Sequence, residues 1–377
     1  MVATITAPAV RNEINASQSE ARRYLSARLS TKHDGPTQPF NVPVIDISRS
    51  FSGSLAEKRA IADQIRDACM NSGFFQITGH GVPETARRAV LTQADRFFKD
   101  LSPAQKESMH VKHSKYMRGW EPSDYTYVNP DDWDEASVPE SKQGFNWGYE
   151  EGLDPTGGDG LYTELDGGKE NGNVWPSEDD LPGFYAGIKD YYSHVLQLGR
   201  HLFKLFALSL GLKETYFDDM MTHPGGIARL LYYPPSEDPK PLDPNEADKE
   251  VGLGAHSDYE CFTILLSSTE SGLEILTPDN VWYPASVVPG GFVINVADFL
   301  MRWTNDAYKS TVHRVVNRTT AERYSVPLFF SVNYETQVET LPSCISEDNP
   351  AKYTPIKAGE YVLDRLHATT KDGENKA

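Results

Sequence analysis

From residue 226 onward the chain breaks into short runs rich in β-branched and aromatic residues: IARLLYYPP, CFTILLSS, LEILTP, VWYPAS, GGFVINVAD, YKSTVHRVV and RYSVPLFFSVN. Gly, Pro, Asn or Asp separates most of them. Such runs read as strands, and seven of them in about a hundred residues predict an antiparallel sandwich or a small barrel. There is no internal repeat. The polar stretch SEDPKPLDPNEADKE, 236–250, reads as a loop between strands and not as a domain boundary.

The first 225 residues have a different texture. Residues 1–40 are polar, with Gly35 and Pro36 near their end, and predict a flexible tail; 367–377 predict a second one. Val44, Ile45 and Ile47 predict a short strand. Residues 55–74 place Ile61, Ile65 and Ala68 at helical spacing, with Gly73 where a C-terminal cap belongs. FFQITGHGVP reads as a strand and turn, and ETARRAVLTQADRFFKDL as a second amphipathic helix. Residues 183–212 carry the longest helical signal, closed by Gly211. Between them, 121–180 are rich in Gly, Pro, Asp and aromatics and read as a long loop, a feature that in a compact domain is functional or disordered.

Composition narrows the class. No apolar run approaches the roughly 18 residues that span a bilayer, and the N-terminus lacks the apolar core of a secretory signal. Three widely spaced cysteines, Cys69, Cys261 and Cys344, fit a reducing compartment and predict a cytoplasmic protein with no disulfide framework. The net charge is −18, and residues 131–180 hold 15 Asp or Glu against two Lys. That balance repels phosphate backbones and anionic membranes, so neither nucleic acid nor membrane is expected as a partner. The acidic stretch itself reads as a solvated excursion, with steering of a cationic substrate as the sharper alternative.

The chemistry is concentrated in the β-rich part. In GLGAHSDYECFTILL, His256 and Asp258 are two apart, and at or near a strand they project to the same side. H-x-D alone is a weak signal. His313, on a strand and separated from Asp258 by 54 residues, supplies a third ligand. Two imidazoles and one carboxylate on one face of a metal leave three positions open, the arrangement of non-haem Fe(II) oxygenases. Ten residues on, Arg323 and Ser325 share a strand face and suit a planar carboxylate. A rim salt bridge is the plainer reading of Arg323 taken alone. Pro327, Phe329 and Ser331 continue the same face. His110 with His113, and His194 with His201, have no further ligand nearby in sequence and are read as structural.

The order H-x-D, H, R-x-S resembles the isopenicillin N synthase-like Fe(II)/2-oxoglutarate dioxygenases. PVIDIS with SGFFQITGHGVP, LLYYPP, and VPGGFVINVADFLMRWTNDAYKSTVHRVV extend the resemblance over nearly the whole chain between the tails. The resemblance implies a mainly β fold with α elements: a double-stranded β-helix (jelly roll, cupin-like) with supporting N-terminal helices. It implies a single catalytic domain over 41–366, comprising α/β support (41–225), a jelly-roll core (226–335) and a C-terminal segment (336–366). It makes His256, Asp258 and His313 the iron ligands, and Arg323, Ser325 and Tyr233 the contacts of the 2-oxoglutarate carboxylate. The expected requirements are Fe(II), 2-oxoglutarate and O2, with ascorbate as an optional reductant.

Two departures from the family stand out. Leu231 occupies the position of a family Asn, and Arg229, on the same strand face, is the candidate substitute as a cofactor contact or else a substrate contact. GFNWGYE replaces a charged family pattern, so substrate contacts from that segment do not transfer. Tyr259, Phe329 and Ser331 are expected to line the substrate pocket. The implied reaction is oxidation of an unactivated C–H bond of a small molecule in specialised-metabolite biosynthesis, whether by hydroxylation, desaturation or ring formation. The alternatives are an iron oxidase of the same fold that does not use 2-oxoglutarate, and a catalytically silent binding protein.

Overall fold

The computed structural model describes residues 40–123, 125, 140–242 and 251–367. The two expected tails fall outside this set except for Phe40 and His367, as do residues 126–139, which include the start of the acidic stretch, and residues 243–250. The strands are β1 (Val44–Asp46), β2 (Phe74–Thr78), β3 (Gly119–Glu121), β4 (Gln143–Gly148), β5 (Gly226–Tyr233), β6 (Leu253–His256) and β7 (Phe262–Ser267). They continue with β8 (Leu273–Leu276), β9 (Trp282–Pro284), β10 (Phe292–Val296), β11 (His313–Val315), β12 (Arg323–Phe330), β13 (Gln337–Val338) and β14 (Ile356–Lys357). Eight of them form one sheet in the order β1-β2-β10-β7-β12-β5-β4-β3, and four form a second, β6-β11-β8-β9. Apart from the β1–β2 pair, both sheets are antiparallel.

The large sheet is buried on both faces. Its inner face meets the small sheet: Phe74 and Val293 pack with Leu273 and Ile275, and Leu231 and Tyr233 pack with Leu253 and Val315. Its outer face presents Phe145, Trp147, Ile264, Val326, Leu328 and Phe330 to three helices, α1 (Leu55–Asn71), α2 (Glu84–Asp100) and α4 (Phe184–Ser209). Each of those helices turns an apolar stripe inward. Ile61, Ile65 and Ala68 do so on α1, which a Ser54/Glu57 capping box opens. Gly73 closes its connection to β2 at φ +70°, where an added Cβ would lie 2.0 Å from the Lys309 carbonyl oxygen. Short helices α3 (Pro103–Ser108) and α5 (Asp298–Trp303) and the C-terminal α6 (Ala358–His367) complete the fold. Among the described residues no helix is long and apolar enough to cross a membrane.

The seven expected strands are all present, and the two sheets form the expected jelly-roll core. The expected loop over 121–180 is corrected in two respects. Residues 143–148 form β4, an inner strand of the large sheet, with Phe145 and Trp147 turned to the helices and Gly144, Asn146 and Gly148 turned to the barrel interior. The part after β4 is largely solvent-exposed, as expected, but is pinned at three carboxylates. Asp154 takes a two-pronged contact from Arg200 at 3.0 and 2.6 Å, Glu164 reaches buried Arg118 at 3.2 Å, and Asp159 meets His223 at 2.8 Å.

Candidate active site

Six strands bring one continuous row of residues across the inner face of the large sheet. Register pairs Gly148 with Ile227, Ile227 with Phe329, Phe329 with Thr263, Thr263 with Asn295, and Asn295 with Phe74. His256, Asp258 and His313 gather over the Thr263–Phe74 end of this row. His256 ends β6 and stands directly opposite His313, the first residue of β11, while Asp258 lies two residues beyond in the turn to β7.

One ligand atom from each of the three lies within 4.8 Å of the others. His256 Nε2 and His313 Nε2 are 3.5 and 3.6 Å from Asp258 Oδ1. The orientation of each group follows from its other bonds. His256 Nδ1 is 2.8 Å from the Gly254 carbonyl oxygen and His313 Nδ1 is 3.1 Å from that of Thr311. A carbonyl only accepts, so both Nδ1 atoms carry the proton and both Nε2 lone pairs face inward. Asp258 Oδ2 accepts from Thr263 Oγ1 and, at 2.7 Å, from Asn295 Nδ2, which leaves Oδ1 for the site. Phe74 stacks edge-on against His313, with ring centroids 5.4 Å apart.

The electrostatics suit a cation. Burial opposes the Asp258 charge, but the two imidazoles and the Asn295 amide overcome it and hold the carboxyl well below the usual range. Burial pushes the His313 imidazole down to about 4, with His256 adding to the effect. Two neutral nitrogens and one carboxylate oxygen converge on one point, a donor set that fits Fe(II).

Four residues up β12 from Phe329, Ser325 pairs with Leu231 and Ser267, and Arg323 pairs with Tyr233. Arg323 is almost fully buried and its guanidinium sits 4.8 Å above the Tyr233 ring. Its Nη2 makes a 3.3 Å contact with Ser267 Oγ, while Nε and Nη1 have no hydrogen-bond partner among the described residues. Burial pulls its affinity for a proton below the ordinary value, with Tyr233 partly compensating. A buried cation with two orphaned donors fits the free carboxylate of 2-oxoglutarate.

Of the two roles expected for Arg229, the cosubstrate contact is corrected. It faces the barrel interior, but its guanidinium is committed to Glu121 Oε2 at 2.6 Å and Asn146 Oδ1 at 2.8 Å, away from the Arg323–Tyr233 pair. Lys142 joins the same network through Glu121 at 2.6 Å. Leu231, in place of the family Asn, packs with Tyr233, Leu253 and Val315, so apolar contact replaces that amide. Phe329 lies in the row beside Thr263, half-buried. Ser331 is fully buried two residues further on. Tyr259 is half-buried under the Arg365 guanidinium of α6, 4.3 Å from its ring centre. His110 and His113 meet edge to face, and His201 bonds Ser50 at 2.7 Å; neither pair belongs to a metal-binding cluster among the described residues.

Sequence reasoning missed Thr263, Asn295, Glu121 and Asn146. A signal existed for the first two, each a lone polar residue inside an apolar strand run. No local pattern marks Glu121, whose partner Arg229 is 108 positions away.

Comparison with known proteins agrees with this geometry. Residues 224–332 match the 2OG-Fe(II) oxygenase superfamily, and 42–178 match the family described as non-haem dioxygenase in morphine synthesis N-terminal. The 2-oxoglutarate-Fe(II) type oxidoreductase hxnY of Emericella nidulans is 34% identical over 334 residues, covering 87% of this chain and 89% of that protein. The 2-oxoglutarate-Fe(II) type oxidoreductase ppzC of Metarhizium majus is also 34% identical, covering 87% of both. Among solved structures, a full-length Neurospora crassa protein in complex with alpha-KG and thymine superposes with a TM-score of 0.74 at 25% identity, covering 89% of this chain and 99% of that one. The chain therefore belongs to the 2OG-Fe(II) oxygenase superfamily and is a 2-oxoglutarate-dependent non-haem iron dioxygenase.

Proposed function

We propose that His256, Asp258 and His313 hold the Fe(II), that Arg323, Ser325 and Tyr233 seat the far carboxylate of 2-oxoglutarate, and that a small molecule is oxidised at a C–H bond beside them. The observation that carries this reading is the pairing of two sites on one inner face. One is a converging set of two Nε2 atoms and Asp258 Oδ1 within 4.8 Å; the other is a buried guanidinium with two orphaned donors. When bound, iron and 2-oxoglutarate supply the O2-dependent oxidising chemistry, with 2-oxoglutarate decarboxylated to succinate.

The protein's own part is positional. Carbonyl oxygens of Gly254 and Thr311 fix the two imidazole tautomers, and Thr263 with Asn295 fixes the carboxylate. Arg323 orients the cosubstrate along the barrel by a charge-assisted contact that a neutral residue would not replace. Phe329 and Ile227 provide the floor beside the iron, and Tyr259 and Ser331 border it. Arg229, held by Glu121 and Asn146, belongs to the substrate side of the pocket. The small molecules named in complexes of a solved relative, thymine and 5-formyluracil with the Neurospora crassa protein, support a substrate of that size. The setting is specialised-metabolite biosynthesis in the cytoplasm.

The test is succinate release from 2-oxoglutarate by the purified chain with Fe(II) and O2, run against a panel of small metabolites. The expected result is iron-dependent succinate formation that one panel member stimulates. Oxidation of a panel member without 2-oxoglutarate and without succinate would instead establish the oxidase alternative.

A further inference from the structure

β6, which ends in His256, lies at the edge of the four-stranded sheet, beside β11. Its pairing is uneven. His256 stands opposite His313 and Leu253 opposite Val315, so three steps along β6 answer two along β11. Between those pairs β6 therefore carries one residue too many, a β-bulge at Gly254–Ala255. The extra residue of a bulge has no place in the ladder, and it bends the strand and re-aims the side chains that follow. Here the next side chain is an expected iron ligand.

The bonds of Gly254 show what holds the bulge. Its N–H donates to Glu140 Oε1 at 2.8 Å, and its carbonyl oxygen accepts from His256 Nδ1 at 2.8 Å. One residue thus links a carboxylate to an imidazole. Glu140 is buried, and the next residue, Ser141, donates its N–H to the Val251 carbonyl oxygen at 3.2 Å, so this segment runs along the open edge of β6. Lys142 Nζ lies 3.2 Å from Glu140 Oε2 and 2.6 Å from Glu121 Oε1, and Glu121 Oε2 takes Arg229 at 2.6 Å. Alternating charges therefore tie Glu140 to the β3–β5 edge of the large sheet. His313 is supported differently: Thr311, whose carbonyl oxygen holds its Nδ1, donates from Oγ1 to the Ser72 carbonyl oxygen at 2.7 Å.

Resting on the assignment of the iron site above, we infer that Glu140 is a positioning residue for the metal. By gripping Gly254 it fixes the bulge, and the bulge sets the angle at which His256 presents Nε2. A buried backbone N–H that the ladder leaves out needs an acceptor, and a carboxylate supplies a stronger one than a neutral group. Without that grip the Gly254 carbonyl oxygen is free to turn, Nδ1 loses its fixed acceptor, and Nε2 swings off the point where Asp258 Oδ1 and His313 Nε2 converge. Glu140 touches neither the metal nor the cosubstrate; it acts through two hydrogen bonds in series. The N-terminal half of the chain thereby reaches both histidines, through Glu140 on one side and through Ser72 on the other.

The experiment reads the two imidazoles separately. The full chain is loaded with Co(II), a paramagnetic ion that moves the Nδ1–H protons of imidazole ligands out of the ordinary proton NMR spectrum. The Phe74 ring, 5.4 Å from that of His313, marks which of the two protons belongs to His313. Glu140→Asp keeps the charge but withdraws the carboxylate by one methylene, Glu140→Gln keeps an acceptor oxygen without the charge, and Glu140→Ala removes both. In the Asp and Ala variants the His256 proton is expected to shift and to exchange faster with water while the His313 proton stays in place. The Co(II) dissociation constant is expected to rise by about 10- to 100-fold. Glu140→Gln is expected to restore the His256 signal. A His256 proton unmoved in folded Glu140→Asp, or His256 and His313 protons that change together, overturns the inference. If Glu140→Ala fails to fold, the comparison of Asp with Gln decides. Co(II) binding by the wild-type chain is recorded first: its absence, or the absence of two shifted exchangeable protons, refutes the iron-site reading. Their presence with an indifferent Glu140→Asp refutes the positioning role alone.

Discussion

Asn295 Nδ2 donates to Asp258 Oδ2 at 2.7 Å and thereby leaves Oδ1 facing the two histidine Nε2 atoms. The amide settles which carboxylate oxygen is available and keeps the second from rotating into the site. Asn295→Leu removes that bond at nearly constant volume and leaves Oδ2 dependent on Thr263 alone. Outer-shell partners of metal ligands typically contribute about 10- to 100-fold in affinity. The expected outcome is an Fe(II) dissociation constant higher by that factor, with 2-oxoglutarate affinity falling only as iron occupancy falls. Anaerobic metal titration checks it.

Arg323 gives a prediction with two opposite signs. In the absence of cosubstrate its buried cation has two orphaned donors, so Arg323→Met removes a destabilising group and is expected to raise the melting temperature of the cosubstrate-free chain. The same change removes charge-assisted bonds worth about 1.5–3 kcal/mol each, so the KM for 2-oxoglutarate is expected to rise at least tenfold. Saturating 2-oxoglutarate then stabilises the wild-type chain in thermal melts and no longer stabilises the variant.

His201 sets an acid limit on stability. Burial, with Lys204 and Lys58 nearby, pushes its imidazole down to about 4, and it bonds Ser50 at 2.7 Å. The unfolded imidazole titrates near 6.5, so between about 6.5 and 4 the unfolded chain binds more protons than the folded one. Stability therefore falls as pH drops through that window and is fully retained above it. Allowing for partial exposure, the loss between pH 7 and pH 5 is about 1–2 kcal/mol. Urea melts at the two pH values are expected to show a drop smaller by this amount in His201→Gln.

The strap after β4 is held by Arg200 and Asp154, joined at 3.0 and 2.6 Å with Asp154 fully buried. Arg200→Ala leaves that carboxylate with only Tyr149 and Thr156 as partners. Breaking a buried pair from one side costs about 3–5 kcal/mol, reduced here because Arg200 is partly exposed. A loss of about 2–3 kcal/mol in urea unfolding is expected, and Arg200→Ala with Asp154→Asn together is expected to cost less than the first change alone.

What could be read in advance follows from how local each signal is. The β-branched runs, the capping of α1 and the i, i+2 placement of His256 and Asp258 are all written within a few residues. His313 and Arg323 became readable because a strand fixes the direction of every side chain it carries. β4 was missed although Phe145 and Trp147 alternate with Gly144, Asn146 and Gly148, because the glycines and the surrounding acidic residues mimic a loop. Arg229 was only partly legible, for a different reason. Its strand face was right, but its partners Glu121 and Asn146 come from strands 108 and 83 positions away, and only the folded sheet brings them together.

The most direct test of the account is the stoichiometry of Fe(II) binding, measured anaerobically by calorimetry on the wild-type chain, Asp258→Ala and His313→Ala. The account predicts one Fe(II) per wild-type chain and no tight binding in either variant, with each variant still folded by circular dichroism. One Fe(II) bound with unchanged affinity in folded Asp258→Ala would contradict it.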